Sequence, residues 1–258
     1  MGDRNEQKAG IRQGIILAGG RSLRMGTDKA MLDIGGKPLL LRIIGQMLDA
    51  GIRSIALAVR DSGQEERYLA ALGESGDEWP ARIIPKGGGP GFQTSGGGLR
   101  NSSGQLPSGS GTGNPEACIS FAQDSYPDSG PLAGLHASLS GVPEEGYVFV
   151  MACDMPVLSI PLFRRLAELA VHTGEPGPDI IRTSGQPFHA LYHTRTASVI
   201  QQQLERGDLR VMHLLERLQS VRIGTTEEEE EAFVNLNTPA SYEHYIMGQR
   251  NPSSDSTE

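Results

Sequence analysis

The chain has 258 residues, with 23 Lys and Arg against 31 Asp and Glu and a formal net charge of −8. An acidic balance argues against a protein that tracks nucleic-acid backbones. No stretch approaches the ~18 consecutive apolar residues of a membrane span, and the polar start MGDRNEQKAG lacks the apolar core of a secretory signal. The two cysteines, Cys118 and Cys153, lie in apolar runs and are too few for a disulfide framework, so reduced thiols and a cytoplasmic location are expected.

In chain order the pattern alternates. Gly14–Ala18 reads as a buried strand, Lys37–Asp49 as a helix, Ser54–Val59 as a strand and Gln64–Leu72 as a helix. Ala81–Ile84 and Ala117–Ala122 read as strand pieces, Pro131–Ser140 as a helix and Tyr147–Ala152 as a strand. Leu162, Phe163, Leu166, Leu169 and Ala170 recur at helical spacing, with Ser159 as N-cap and Pro161 in the first turn. Short strands follow at Asp179–Ile181 and Phe188–Tyr192. Helices come next at Thr196–Leu204 and Leu209–Leu218, then a strand at Ser220–Ile223 and a closing helix at Pro239–Met247. The run Glu227–Glu231 supplies five negative charges and reads as a solvated loop.

Strands alternating with helices predict a single three-layer, Rossmann-like α/β domain over residues 11–248 with a mostly parallel sheet. Ligands of such sheets bind outside the carboxyl ends of the strands, so functional residues should follow strands. Residues 1–10 and 249–258 read as polar, unfolded ends. The segment 86–115 holds 11 of the 34 glycines and almost no apolar residues. It reads as a disordered insertion, with a substrate lid as the alternative.

The loop after the first strand runs Gly19-Gly20-Arg21-Ser22-Leu23-Arg24-Met25-Gly26-Thr27-Asp28-Lys29. Glycines there let backbone N–H groups approach a ligand, and three cations within nine residues suit a triphosphate. The loop carries neither the GxxxxGK[ST] nor the GxGxxG pattern. A glycine turn followed by a solvated basic loop is the plainer reading. Asp154 follows the strand Tyr147–Ala152 and precedes Pro156. Ser159 is the better helix cap, which leaves Asp154 free as an oxygen ligand for Mg²⁺. Asn235 and Asn237, two apart in an extended segment, face the same way. They offer neutral polar groups near phosphate or metal.

The motif Leu17-Ala18-Gly19-Gly20, then Arg24-Met25-Gly26, Asp28-Lys29, Leu32 and Gly36-Lys37-Pro38-Leu39, resembles the signature of the nucleotidyltransferases. Within them it most resembles the molybdenum cofactor guanylyltransferases. Further similarity lies in Cys153-Asp154-Met155-Pro156, Gly130-Pro131-Leu132-Ala133-Gly134 and Asn235-Leu236-Asn237-Thr238-Pro239. The resemblance implies Mg²⁺-dependent transfer of GMP from GTP to the phosphate of molybdopterin. Related chemistry with CTP or another nucleotide, on molybdopterin, a sugar phosphate or another phosphorylated acceptor, is the alternative.

By the same resemblance Leu17, Ala18, Gly19 and Gly20 hold the nucleotide and Lys29 binds phosphate, with Arg24 beside it. Asp154 holds the metal, and Asn235 and Asn237 adjoin it. Asp124, with Asp128 as competitor, matches the Asp that contacts the nucleotide. Molybdoenzymes or their chaperones are the implied protein partners. His189 reads as structural rather than as an acceptor contact. Arg210 reads equally as an anion contact or a solvated helix start. One departure stands out: Ala56-Leu57-Ala58-Val59-Arg60 has no Asn where the family usually places one near the base.

Overall fold

The structure, a computed structural model, describes residues 10–19, 28–74, 81–84, 117–174 and 176–250. Segments 1–9, 86–115 and 251–258 lie outside the described residues. So do the predicted site residues Gly20 and Arg24.

The first half alternates strand and helix: β1 (Gln13–Leu17), α1 (Leu39–Asp49), β2 (Ser54–Val59), α2 (Ser62–Glu74), β3 (Ala81–Ile84), β4 (Ala117–Gln123), α3 (Pro131–Ser140) and β5 (Tyr147–Ala152). The second half adds α4 (Ile160–His172), β6 (Ile180–Thr183), β7 (His189–His193), α5 (Thr196–Glu205), α6 (Val211–Arg217), β8 (Ser220–Ile223), α7 (Glu227–Glu230) and α8 (Pro239–Arg250). The sheet has eight strands in the order β3-β4-β2-β1-β5-β7-β6-β8. Every pairing is parallel except those of β7 with β5 and β6. The turn from β6 to β7 is too short for a parallel crossover, which needs a dozen or more residues, so β7 must run the other way.

Strand β5 is apolar on both faces, with Val148, Phe149, Val150 and Met151 almost fully buried. That is what a central strand covered from both sides requires. One face packs against α1 and α4 through Ile16, Ile44, Met47, Phe149, Leu162 and Leu166. The other packs against α3, α5 and α6 through Ile15, Leu132, Leu135, Val150, Ile200 and Leu214. Helix α1 starts at Leu39, two residues later than its apolar pattern predicts. The cause is that Gly35 and Gly36 adopt positive φ in a turn and Pro38 is extended. Ser159 accepts from Leu162 N at 3.3 Å and caps α4 as predicted.

The acidic run corrects a sequence expectation. Glu227–Glu230 forms a short helix rather than a loop, because Thr226 and Glu229 make a reciprocal capping box. Glu229 is buried, and its carboxylate accepts from Arg165 Nη1 at 2.5 Å. Burial opposes ionisation of this carboxyl, but Arg165 and the Thr226 N–H outweigh it and hold it below the usual range. A carboxyl depressed in the folded state stabilises above its unfolded pKa, and that gain is lost as pH falls through the folded value. Glu229→Gln is therefore expected to cost about 1 kcal/mol at pH 7, the worth of a charged cap partly screened by solvent. The difference should close as pH drops below the folded pKa, which thermal unfolding at several pH values would read.

Candidate active site

The carboxyl ends of β1, β2, β4 and β5 open into one cleft of about 580 Å³. Its floor is Leu17, Ala18 and Gly19 after β1, with Ala58, Val59 and Arg60 at the end of β2. A Cβ built on Gly19 would stand 3.4 Å from Arg60 N, so the glycine lets the β1 loop pass close over β2. Helix α3 lies unusually near the sheet, because a Cβ on Gly134 would meet Ala58 Cβ at 3.0 Å. The start of α3, Gly130 and Pro131, thereby forms one wall of the cleft.

Asp154 occupies the turn after β5. Its backbone is tied down on several sides: Cys153 N donates to Leu17 O at 3.1 Å, Met155 N to Ala152 O at 3.3 Å, and Leu236 N to Asp154 O at 2.8 Å. The last bond brings Asn235-Leu236-Asn237 to the cleft. Leu236 is fully buried, Asn235 lines the cavity and Asn237 accepts a hydrogen bond from Lys29 Nζ. Lys29 Nζ also lies 3.7 Å from Asp154 Oδ2. Thr238 Oγ1 caps α8 by accepting from Ser241 N at 3.1 Å, which leaves Asn237 free for Lys29.

Asp124 and Asp128 both line the far side of the cleft. Partial burial pushes the Asp124 carboxyl up, while Tyr126 N, donating at 2.6 Å, and the nearby His136 pull it down less strongly. His189 is fully buried, edge-on to Phe149 and Phe233, and burial lowers its pKa to about 4. It is a neutral core residue, as predicted. Arg210 is exposed and paired with Asp208 at 2.9 Å.

A buried network supports the lysine turn and was not anticipated from sequence. Gln64 and Tyr68, one turn apart on α2, are nearly or fully buried. Gln64 Nε2 stands 3.0 Å from Ala18 O and 3.1 Å from Asp28 Oδ2, and Gln64 Oε1 accepts from Arg60 N at 2.8 Å. The Tyr68 hydroxyl donates to Asp28 Oδ1 at 3.0 Å, and burial keeps it protonated. Asp28 in turn caps the 3₁₀ turn 29–31 that carries Lys29. Gln64→Leu strips donors from buried oxygens, so a loss of about 1–3 kcal/mol in urea unfolding is expected. The available signal was the spacing Gln-x-x-x-Tyr on a helix, which by itself looks like ordinary packing.

At the glycine turn the cleft thus gathers Lys29, Asp154 and two neutral amides, with Asp124 and Asp128 also in its lining. Among the described residues there is no group of three or more His, Cys, Asp and Glu that could cage a metal. A hard cation that keeps water and substrate phosphate needs only one or two carboxylates, so Asp154 fits that role.

The sequence matches the MobA-like NTP transferase domain over residues 14–91 and 113–222. The chain belongs to this family of nucleotidyltransferases. It is 29% identical to the probable molybdenum cofactor guanylyltransferase of Methanosarcina mazei, covering 93% of this chain and 92% of that one. It is 25% identical to the molybdenum cofactor guanylyltransferase of Vibrio cholerae, covering 87% and 86%. The fold is similar to that of molybdopterin-guanine dinucleotide biosynthesis protein A from Archaeoglobus fulgidus. The TM-score is 0.64 at 20% identity, with 92% and 98% of the two chains covered. A 4-diphosphocytidyl-2C-methyl-D-erythritol synthase from Anaerococcus prevotii also shares it, with TM-score 0.58 at 12% identity and 94% and 99% coverage. The fold alone therefore does not set the base.

Proposed function

We propose that the chain transfers GMP from GTP to the phosphate of molybdopterin, forming molybdopterin guanine dinucleotide and releasing pyrophosphate. The observation that carries this reading is the meeting of Lys29, Asp154 and Asn237 beside the Leu17–Gly19 turn. Three motifs far apart in sequence converge there at the carboxyl edge of the sheet.

An acceptor phosphate oxygen forms a bond to the α-phosphorus of GTP. The bond from that phosphorus to the α–β bridging oxygen breaks, and pyrophosphate leaves with the electron pair. The nucleophile is already a phosphate oxygen, so no strong base is required of the protein. Its work is positioning and charge neutralisation. Backbone at Leu17, Ala18 and Gly19, continuing to Gly20, cradles the nucleotide. Lys29, together with Arg24, neutralises charge building on the leaving pyrophosphate.

Asp154 would hold Mg²⁺, with Asn235 and Asn237 beside it as uncharged donors and acceptors. The ion supplies Lewis-acid neutralisation of the triphosphate. Asp124 takes a ribose hydroxyl or base N–H, donors from which a carboxylate accepts. Cys118 and Cys153 outside any disulfide suit a reducing, cytoplasmic setting, and no helix among the described residues is long and apolar enough to cross a membrane. Molybdoenzymes or their chaperones would take up the product.

Thermal unfolding with each of the four nucleoside triphosphates and Mg²⁺ tests the nucleotide. Stabilisation by GTP of about 2.7 kcal/mol is expected at a hundred times its dissociation constant. Pyrophosphate release with GTP, Mg²⁺ and molybdopterin tests the transfer. Equal stabilisation by CTP and UTP, or no pyrophosphate release, would overturn the reading.

A further inference from the structure

Arg182 is a buried cation with no carboxylate partner among the described residues. It lies on β6, one residue before the strand ends, and is 6% exposed. Its Nη1 donates to the carbonyl of the next residue, Thr183, at 3.1 Å, and its Nε is buried with no acceptor. Arg60, Arg67, Arg165, Arg195 and Arg210 each pair with a carboxylate. Among the described residues Arg182 and Arg222 do not, nor do others such as Arg42, Arg53 and Arg217, but of the described arginines Arg182 is the buried one. Burying an unpaired guanidinium is strongly unfavourable, so the arrangement calls for an anion.

The nearest charge makes matters worse. Arg222 on β8 is the register partner of Arg182, and its repulsion adds to the burial that disfavours the charged form. Adjacent strands lie about 4.8 Å apart, so two arginines in register start from neighbouring backbone positions on one face, Arg182 buried and Arg222 at the exposed rim. That spacing suits one tetrahedral oxyanion gripped by both. The face is the one covered by α3, α5 and α6, since Ile180, two residues before Arg182, packs there. Ser220 Oγ, two residues before Arg222 on the same face of β8, is also buried and has no partner.

The place in the fold is informative. β6 and β8 run parallel to β1 and β5, so both arginines, third of four residues in their strands, sit toward the same carboxyl edge as the cleft, though neither lines it. The loop after Arg182 carries Gln186, Pro187 and Phe188 into the cleft. The Tyr192 hydroxyl donates to Pro187 O at 2.9 Å, and Tyr192 is near enough to Arg182 to act on it electrostatically.

We propose that Arg182 and Arg222 form an oxyanion site for a phosphate group, behind the loop 184–188 and apart from the nucleotide cradle. The phosphate is either carried by the acceptor or is a free phosphate ion. The inference goes beyond the transferase reading and does not depend on it.

The test titrates inorganic phosphate into the full chain by calorimetry, with chloride at equal ionic strength as the control. Arg182→Met and Arg222→Gln are compared with the unaltered chain. The loop carrying Lys29 is the same in all three, so differences report on the two arginines. Phosphate affinity is expected to fall at least tenfold in each variant. Arg182→Met should melt at or above the unaltered chain in phosphate-free buffer, because it removes an uncompensated charge. If it does not fold, Arg222→Gln, altered at an exposed position, carries the test. Equal phosphate affinity in the variants and the unaltered chain, or no binding above chloride, would overturn the proposal. Within a positive result, transfer kinetics separate the sources. A raised KM for the acceptor with KM for GTP unchanged assigns the phosphate to the acceptor, and unchanged KM for both assigns it to the free ion.

Discussion

Asp154→Ala is expected to lower GTP-dependent transfer about 10³-fold or more, because neutralisation by the metal is worth several kcal/mol in the transition state. The fold should survive. The turn that carries Asp154 is held through backbone groups, by Leu17 O, Ala152 O and Leu236 N, and not through the carboxylate. The side chain is partly exposed and touches Lys29 only at 3.7 Å. Removing it leaves no buried donor without a partner. Two measurements separate function from folding. Circular dichroism and melting temperature should match the unaltered chain, while the Mg²⁺-dependent part of GTP stabilisation disappears. Turnover near that of the unaltered chain would remove Asp154 from the metal role.

The convergence at Asp154 was legible in sequence for a physical reason. In a parallel sheet the loops after the strands share one edge, so residues following β1, β5 and β4 must approach one another. Asp154 and Asp124 follow apolar strands directly, and Ser159 is a better cap than Asp154. The pair Asn235 and Asn237 was partly legible, because a helix cap before Pro239 accounts for Asn237 but leaves Asn235 unexplained. What sequence hid were contacts made between elements.

Glu229 looked like one of five solvated charges, and only its meeting with Arg165 of α4 turns the run into a capped helix. Gln64 was legible only as the first residue of a predicted helix. Its burial follows from where α2 crosses the ends of β1 and β2, which spacing alone does not reveal. The reversal of β7 was written in the five residues between Thr183 and His189, too few for a crossover. Nothing in the sequence aligned Arg182 with Arg222, because strand register is settled only when β8 docks.

Lys29→Ala is the second large effect expected, a fall of about 10²–10³-fold in kcat/KM for GTP, the size of losing one preorganised charge donor. Lys29 Nζ is shared between Asn237 and the more distant Asp154, and its side chain is 23% exposed. A triphosphate at this point would bring several negative charges, and Asp154 would be engaged in holding Mg²⁺. Lys29 is then left to the phosphates, with Asn237 holding its orientation without competing charge. The turn that presents Lys29 is fixed by Asp28, Tyr68 and Gln64, so the loss of the amine should not unseat the loop. Lys29→Arg keeps the charge but not the compact ammonium, and a partial recovery of kcat is expected. Steady-state pyrophosphate release at saturating Mg²⁺ reads both variants. A kcat/KM within about threefold of the unaltered chain in Lys29→Ala, far short of the 10²-fold expected for such a donor, would mean that the charge is supplied elsewhere.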